Sequence, residues 1–168
     1  MITMMKTFST RKLSIAIAVF MAVVAMRSSA YAETLAASAT RVSNDTDVTT
    51  HVLKALNDAG ATSLAFKTGS ANRLVKITYN AECGVLGPTG SWISVTILVD
   101  GVEANPQNNT DFAMCTSTGT GSFLWVGAVR QSLIRVPAAG THNVQIVVDL
   151  NGASTWWLGD TSLVIETQ

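Results

Sequence analysis

Trp92-Ile93-Ser94-Val95-Thr96-Ile97-Leu98-Val99-Asp100-Gly101-Val102 is the stretch that decides the fold. Ile93, Val95, Ile97 and Val99 fall on one side of an extended chain, and Trp92, Ser94, Thr96 and Leu98 on the other. That period of two is the mark of a strand with one face toward a core. Asp100-Gly101 then reads as a tight turn, since both residues accept the positive φ that a two-residue hairpin demands, and Val102 opens a return strand.

The same grammar extends in both directions. Upstream, Arg73–Ala81 alternates, with Val75, Ile77 and Tyr79 against Lys76, Thr78 and Asn80; Gly84, Gly87, Pro88 and Gly90 mark a loop after it. Ser63–Lys67 reads as a short strand. Downstream, Phe112–Cys115 is a short strand and Thr116–Ser122 a Gly/Ser/Thr loop. In Phe123–Val136 the apolar parity slips, which predicts a bulge near Gly127 or Arg130. Val144, Ile146, Val148 and Leu150 face one way, Asn151-Gly152 is a second hairpin signal, and Trp156–Leu158 and Ser162–Glu166 end the chain. Residues 33–47 read as a loose start or an edge strand. Val48–Asp58 fits a short helix, capped by Asp47 and stopped by Gly60, and fits two short strands as well. The expectation is an all-β chain: about eight strands in a two-sheet antiparallel sandwich, jelly-roll-like.

Cys83 and Cys115 are an even pair, which favours one disulfide. Closing a loop of about 30 residues stabilises a fold by roughly 3–4 kcal/mol in the chain-entropy model. Immunoglobulin domains space their cysteines about 50–60 residues apart, so this spacing points to the jelly roll instead.

The first residues read as a cleavable signal peptide, 1–32. Lys6, Arg11 and Lys12 precede Leu13–Met26, apolar except for Ser14, and Ala30-Tyr31-Ala32 offers small residues for cleavage before Glu33. Residues 33–168 form the expected single domain, secreted or periplasmic, with no membrane span once the leader is removed, because no later apolar run reaches spanning length. The balanced charge of the whole chain misleads, because the leader holds Lys6, Arg11, Lys12 and Arg27 and no acids. The remaining 136 residues carry seven basic and eleven acidic side chains. A net acidic domain has no basic patch to neutralise phosphates, so nucleic acid is not an expected partner.

Four segments carry a resemblance: Ile77–Cys83, Val99–Val102, Pro137–Val144 and Trp157–Leu163. They resemble stretches of uncharacterised exported bacterial β-sandwich proteins over about residues 74–166. The resemblance implies architecture and no activity.

Candidate chemistry is sparse. Nucleophilic catalysis needs a Ser or Cys beside a base, usually His; the mature part holds only His51 and His142, and no G-x-S-x-G. Metal is not expected. No Cys/His cluster has zinc spacing, and Asn44–Asp47 and Asn105–Asp111 match no calcium loop. No cofactor is implied. Four indoles remain, Trp92, Trp125, Trp156 and Trp157. Trp92 shares the polar face of its strand, and Trp156 and Trp157 must split between faces if extended, which makes Trp92, Trp156 and Trp157 the candidate ligand contacts. The expected function is a non-catalytic binding domain for a glycan or protein ligand. The alternative is an assembly subunit that forms a homo-oligomer, and a hydrolase comes third.

Overall fold

The computed structural model describes residues 32–40, 48–49, 51–108 and 112–168. Apart from Ala32, the expected signal peptide lies outside them, as do Asn44–Asp47. Among the described residues ten strands follow one another: β1 Thr34–Thr40, β2 Val52–Leu53, β3 Leu64–Thr68, β4 Arg73–Leu86, β5 Trp92–Val99, β6 Val102–Glu103, β7 Ala113–Thr116, β8 Val126–Val136, β9 Gly140–Asn151 and β10 Thr155–Thr167. They pair antiparallel in two sheets. One sheet runs β1-β10-β4-β8. In the other, β9 and β5 are central, β2 and β3 both flank β9, and β6 and β7 both flank β5. If each flanking pair is taken as one broken strand, eight positions remain, ordered 1-8-3-6 and 2-7-4-5, which is the jelly-roll order.

The alternation read in the sequence is what the sandwich buries. Ile93, Val95, Ile97 and Val99 of β5 face Val75, Ile77, Tyr79, Ala81 and Val85 of β4 across a core that Val144, Ile146 and Val148 of β9 and Leu158, Leu163 and Ile165 of β10 complete. Each such fully buried aliphatic chain contributes roughly 1.5–3 kcal/mol. A Cys83–Cys115 disulfide joins β4 in one sheet to β7 in the other, with Cα atoms 6.5 Å apart.

One open alternative is decided and three local expectations are corrected. Val48–Asp58 contains no helix among its described residues; Val52–Leu53 is a short strand against β9, beginning one residue after His51, whose φ is +61°. Gly84 does not open a loop but lies inside β4, for a reason given below. β8 holds its register with β4 throughout, without the bulge expected near Gly127 or Arg130. The parity slips because apolar Val129 and Leu133 sit on the exposed face of β8 while Ser132 is buried. The bulge occurs in β10 instead, between Gly159 and Ser162, around Asp160 at φ +42°, and it merges two expected strands into one. Residues 34–40 take the edge-strand option.

Ala32 and Glu33, the expected cleavage junction, are exposed and lead directly into β1. Glu33 is already tied down there. Its amide donates to Thr167 Oγ1 at 3.2 Å, and its carbonyl accepts from the Thr167 amide at 2.9 Å. Among the described residues no helix is long and apolar enough to cross a membrane.

Candidate functional site

Three loops meet at the disulfide end of the sandwich: 87–91, 117–125 and 152–154. Their own backbones hold them together. The Gly90 amide donates to the Ser117 carbonyl at 3.1 Å and the Ser117 amide to the Ser91 carbonyl at 2.7 Å. Ser117 Oγ donates to the Gly87 carbonyl, and Ser91 Oγ to the carbonyls of Pro88 and Gly152. Small hydroxyl residues and glycines are what such a knot needs, since their side chains bond nearby backbone without filling space. The 117–125 loop leaves this knot anchored by Cys115 just before it and by β8 just after it.

That loop lays Phe123 and Trp125 onto the outer face of the β1-β10-β4-β8 sheet. Phe123 stacks on Trp125, with centroids 4.9 Å apart at 21°, and Trp125 meets Trp157 edge to face at 4.4 Å and 73°. Both arrangements suit aromatic quadrupoles. Two glycines make room for them. A Cβ on Gly84 would lie 2.8 Å from Phe123 Cδ1 and 2.9 Å from Trp125 Cε3, and a Cβ on Gly159 would collide with the six-membered ring of Trp157. Gly84 and Trp157 are cross-strand partners, as are Glu82 and Gly159. Two bare patches of sheet therefore let three rings lie close against the backbone. Trp125 keeps 46% of its surface exposed.

The three indoles singled out from the sequence fall in three different places. Trp157 lies half-buried in this aromatic group. Trp156 points the other way and is completely buried in the core, so the expectation that it could touch a ligand is withdrawn: an indole enclosed on every side offers no ring face. Trp92 is half-buried on the outer face of the opposite sheet. It lines a separate open depression of about 470 Å³ with Pro88, Thr89, Gly90, Asn151 and Gly152, and the structure does not bring it to Trp157. Sequence reasoning passed over Phe123 and Trp125. The available signal was their i, i+2 spacing directly after a Gly/Ser/Thr loop, which puts both rings on one face.

The two histidines lie elsewhere. His51 is exposed and sits 3.4 Å from Asp149. His142 is buried at the opposite end of the sandwich. Its Nδ1 donates to Asp100 Oδ2 at 2.7 Å, Nε2 lies 3.3 Å from Thr68 Oγ1 and 3.1 Å from the Ala138 carbonyl, and the ring packs on Phe66. Carboxylate, imidazole and hydroxyl thus stand in catalytic order. However, Thr68 is buried and its hydroxyl lies 3.2 Å from the Ala138 carbonyl, to which it donates. The group ties the β8–β9 turn to β3. Burial raises the Asp100 pKa, but hydrogen bonds from His142 and the Asn143 amide, together with the His142 charge, outweigh it and hold the carboxyl below its ordinary value. Among the described residues no three His, Cys, Asp or Glu side chains gather as metal ligands do.

No protein-family profile and no curated protein matches the chain. Several solved structures show a distant likeness to the chain. The C-terminal domain of the sugar-binding protein EclA is 9% identical, at TM-score 0.36, over 78% of this chain and 79% of its own. Dimeric latent PorU from Porphyromonas gingivalis is 12% identical, at TM-score 0.44, over 82% of this chain, which spans 13% of PorU. The CBM36-1 domain of a multidomain xylanase from the hindgut metagenome of Trinervitermes trinervoides is 7% identical, at TM-score 0.36, over 80% of this chain and 96% of its own. These likenesses are distant, and the chemistry of the site is read from its residues.

Proposed function

We propose that this chain is an exported, non-catalytic domain that binds a glycan on the Phe123–Trp125–Trp157 platform. The observation that carries the reading is Trp125: a large aromatic ring, half in solvent, fixed by Phe123 on one side and Trp157 on the other, over a glycine. A pyranose presents a face of C–H bonds with partial positive charge, which complements the negative face of an indole, and stacking removes apolar area from water on both partners. Because the ring is already packed, little rotamer freedom is lost on binding. A platform of three rings matches one or two sugar units. A protein partner would bury about 800 Å² on each side, far beyond these rings. The disulfide agrees with an oxidising compartment.

Trp125→Ala should leave the fold standing, since the ring is half-exposed, yet remove an anchor worth about 2 kcal/mol or more. Calorimetric titration against a panel of soluble oligosaccharides should then show roughly a thirtyfold loss of affinity, with thermal unfolding little changed. A variant that binds as wild type does would overturn the site, and one that unfolds early would mean the ring is structural. Export is read separately by intact mass: the released product should begin at Glu33. A full-length or membrane-retained chain would refute the signal peptide.

A further inference from the structure

The residue beside the platform says which sugars it admits. Glu82 lies on the same outer face, and both of its cross-strand neighbours are glycines: Gly159 in β10 and Gly127 in β8. Directly opposed side chains in a sheet sit about 5 Å apart. The Trp157 ring covers the Gly159 position, so the Glu82 side chain leaves the sheet directly beside the position that the indole occupies. On its other side Gly127 is exposed, and a Cβ built there would meet nothing within 4 Å. The Glu82 side chain forms no hydrogen bond or ion pair with any described residue. It is an open acceptor between an aromatic wall and a bare strip of sheet.

Among the described residues the charged side chain next along the sheet is also acidic. Asp160 is exposed in the β10 bulge next to Gly159. Among the described residues the cations of this sheet lie elsewhere. Lys76 is bound to Glu166 at 2.6 Å, six residues along β4 from Glu82, or about 20 Å at 3.3 Å per residue. Arg135 reaches the Asn72 carbonyl at the far end, and Arg130 reaches Pro106. Arg41 lies outside the described residues.

Resting on the glycan reading above, we propose that Glu82 is the specificity-determining residue of the platform. Its carboxylate accepts hydrogen bonds from the hydroxyls, or the ammonium, of a sugar stacked on Trp125 and Trp157. The site therefore takes uncharged or amino-bearing pyranosides and rejects uronates. A hydroxyl or ammonium donor completes the acceptor, whereas a sugar carboxylate brings a second negative charge to within a few ångströms. At about 4 Å in water-like surroundings such a pair costs close to fivefold in affinity even without burial.

The test is titration of wild type, Glu82→Gln and Trp125→Ala with three probes of equal length: chitotetraose, glucosamine tetramer and galacturonate tetramer. Wild type should bind the first two at least about fivefold more tightly than the third at low salt, and the gap should narrow as salt rises. Glu82→Gln should keep chitotetraose binding within a few-fold, lose the glucosamine advantage and gain on galacturonate, a reordering that a purely structural role would not produce. If wild type binds galacturonate as well as the others, or if Glu82→Gln leaves the order unchanged, the specificity proposal fails while the platform stands. If none of the three probes binds, or if Trp125→Ala binds all three as wild type does, the platform fails, and the specificity proposal with it.

Discussion

Replacing Trp156 with alanine should cost the domain roughly 3–5 kcal/mol of folding stability, a fall in the unfolding midpoint on the order of 10 °C or more for a chain of this size. The indole is completely buried in the core, where Trp156 pairs across the sheet with Val85 of β4. Its removal leaves a cavity among residues held in two sheets and unable to close around it. The adjacent Trp157→Ala should cost less, because that ring lies on the outer face of the sheet and is only partly buried. Thermal unfolding of the two variants side by side decides the matter: two neighbours in sequence, one a core residue and one a surface residue. Equal losses would mean that the two faces of β10 are assigned wrongly.

Removing the disulfide should cost about as much, by a different route. The Cys83→Ala/Cys115→Ala variant frees a loop of about 30 residues in the unfolded chain, and the entropic gain there amounts to roughly 3–4 kcal/mol. Alanine is the better choice because both sulfurs are buried, where serine would add an unpaired hydroxyl and its desolvation penalty. Chemical denaturation with and without reductant should give wild type two midpoints and the variant one. Identical wild-type midpoints under both conditions would refute the contribution. The bridge also anchors Cys115 just before the 117–125 loop. The variant should therefore lose glycan affinity beyond its share of unfolded protein, since Phe123 and Trp125 would no longer be held over Gly84.

The strands themselves were legible in the sequence. Ile93–Val99 and Val75–Tyr79 alternate because an antiparallel strand with a single core-facing side must do so, and nothing distant alters that rule. The disulfide was legible for a similar reason: two cysteines allow one pairing. The parity of Trp156 and Trp157 was legible too, since consecutive residues of a strand take opposite faces. Which face was the core was not. That depends on β4 and β1 flanking β10, and on the second sheet closing over one side of it.

The glycines were misread for an instructive reason. Gly84 carries the same local signal as a turn glycine, yet it sits within a 14-residue strand, and its missing side chain serves rings that arrive from residues 123 and 125. Local sequence cannot distinguish backbone freedom from room for a neighbour. The parity slip in β8 is a comparable case: Val129 and Leu133 are apolar on an outer face, which no alternation rule anticipates.

The class of fold, the alternation of the main strands and the pairing of the two sulfurs can be read from the residues alone, because each follows from chain geometry over a few residues or from a choice with one answer. Tertiary structure alone decided which indoles meet. Trp125 and Trp157 lie 32 positions apart and come within 4.4 Å only because β8 and β10 flank the same strand, β4. Glu82 becomes an open acceptor for the same reason, as its two neighbours across the sheet are both glycines.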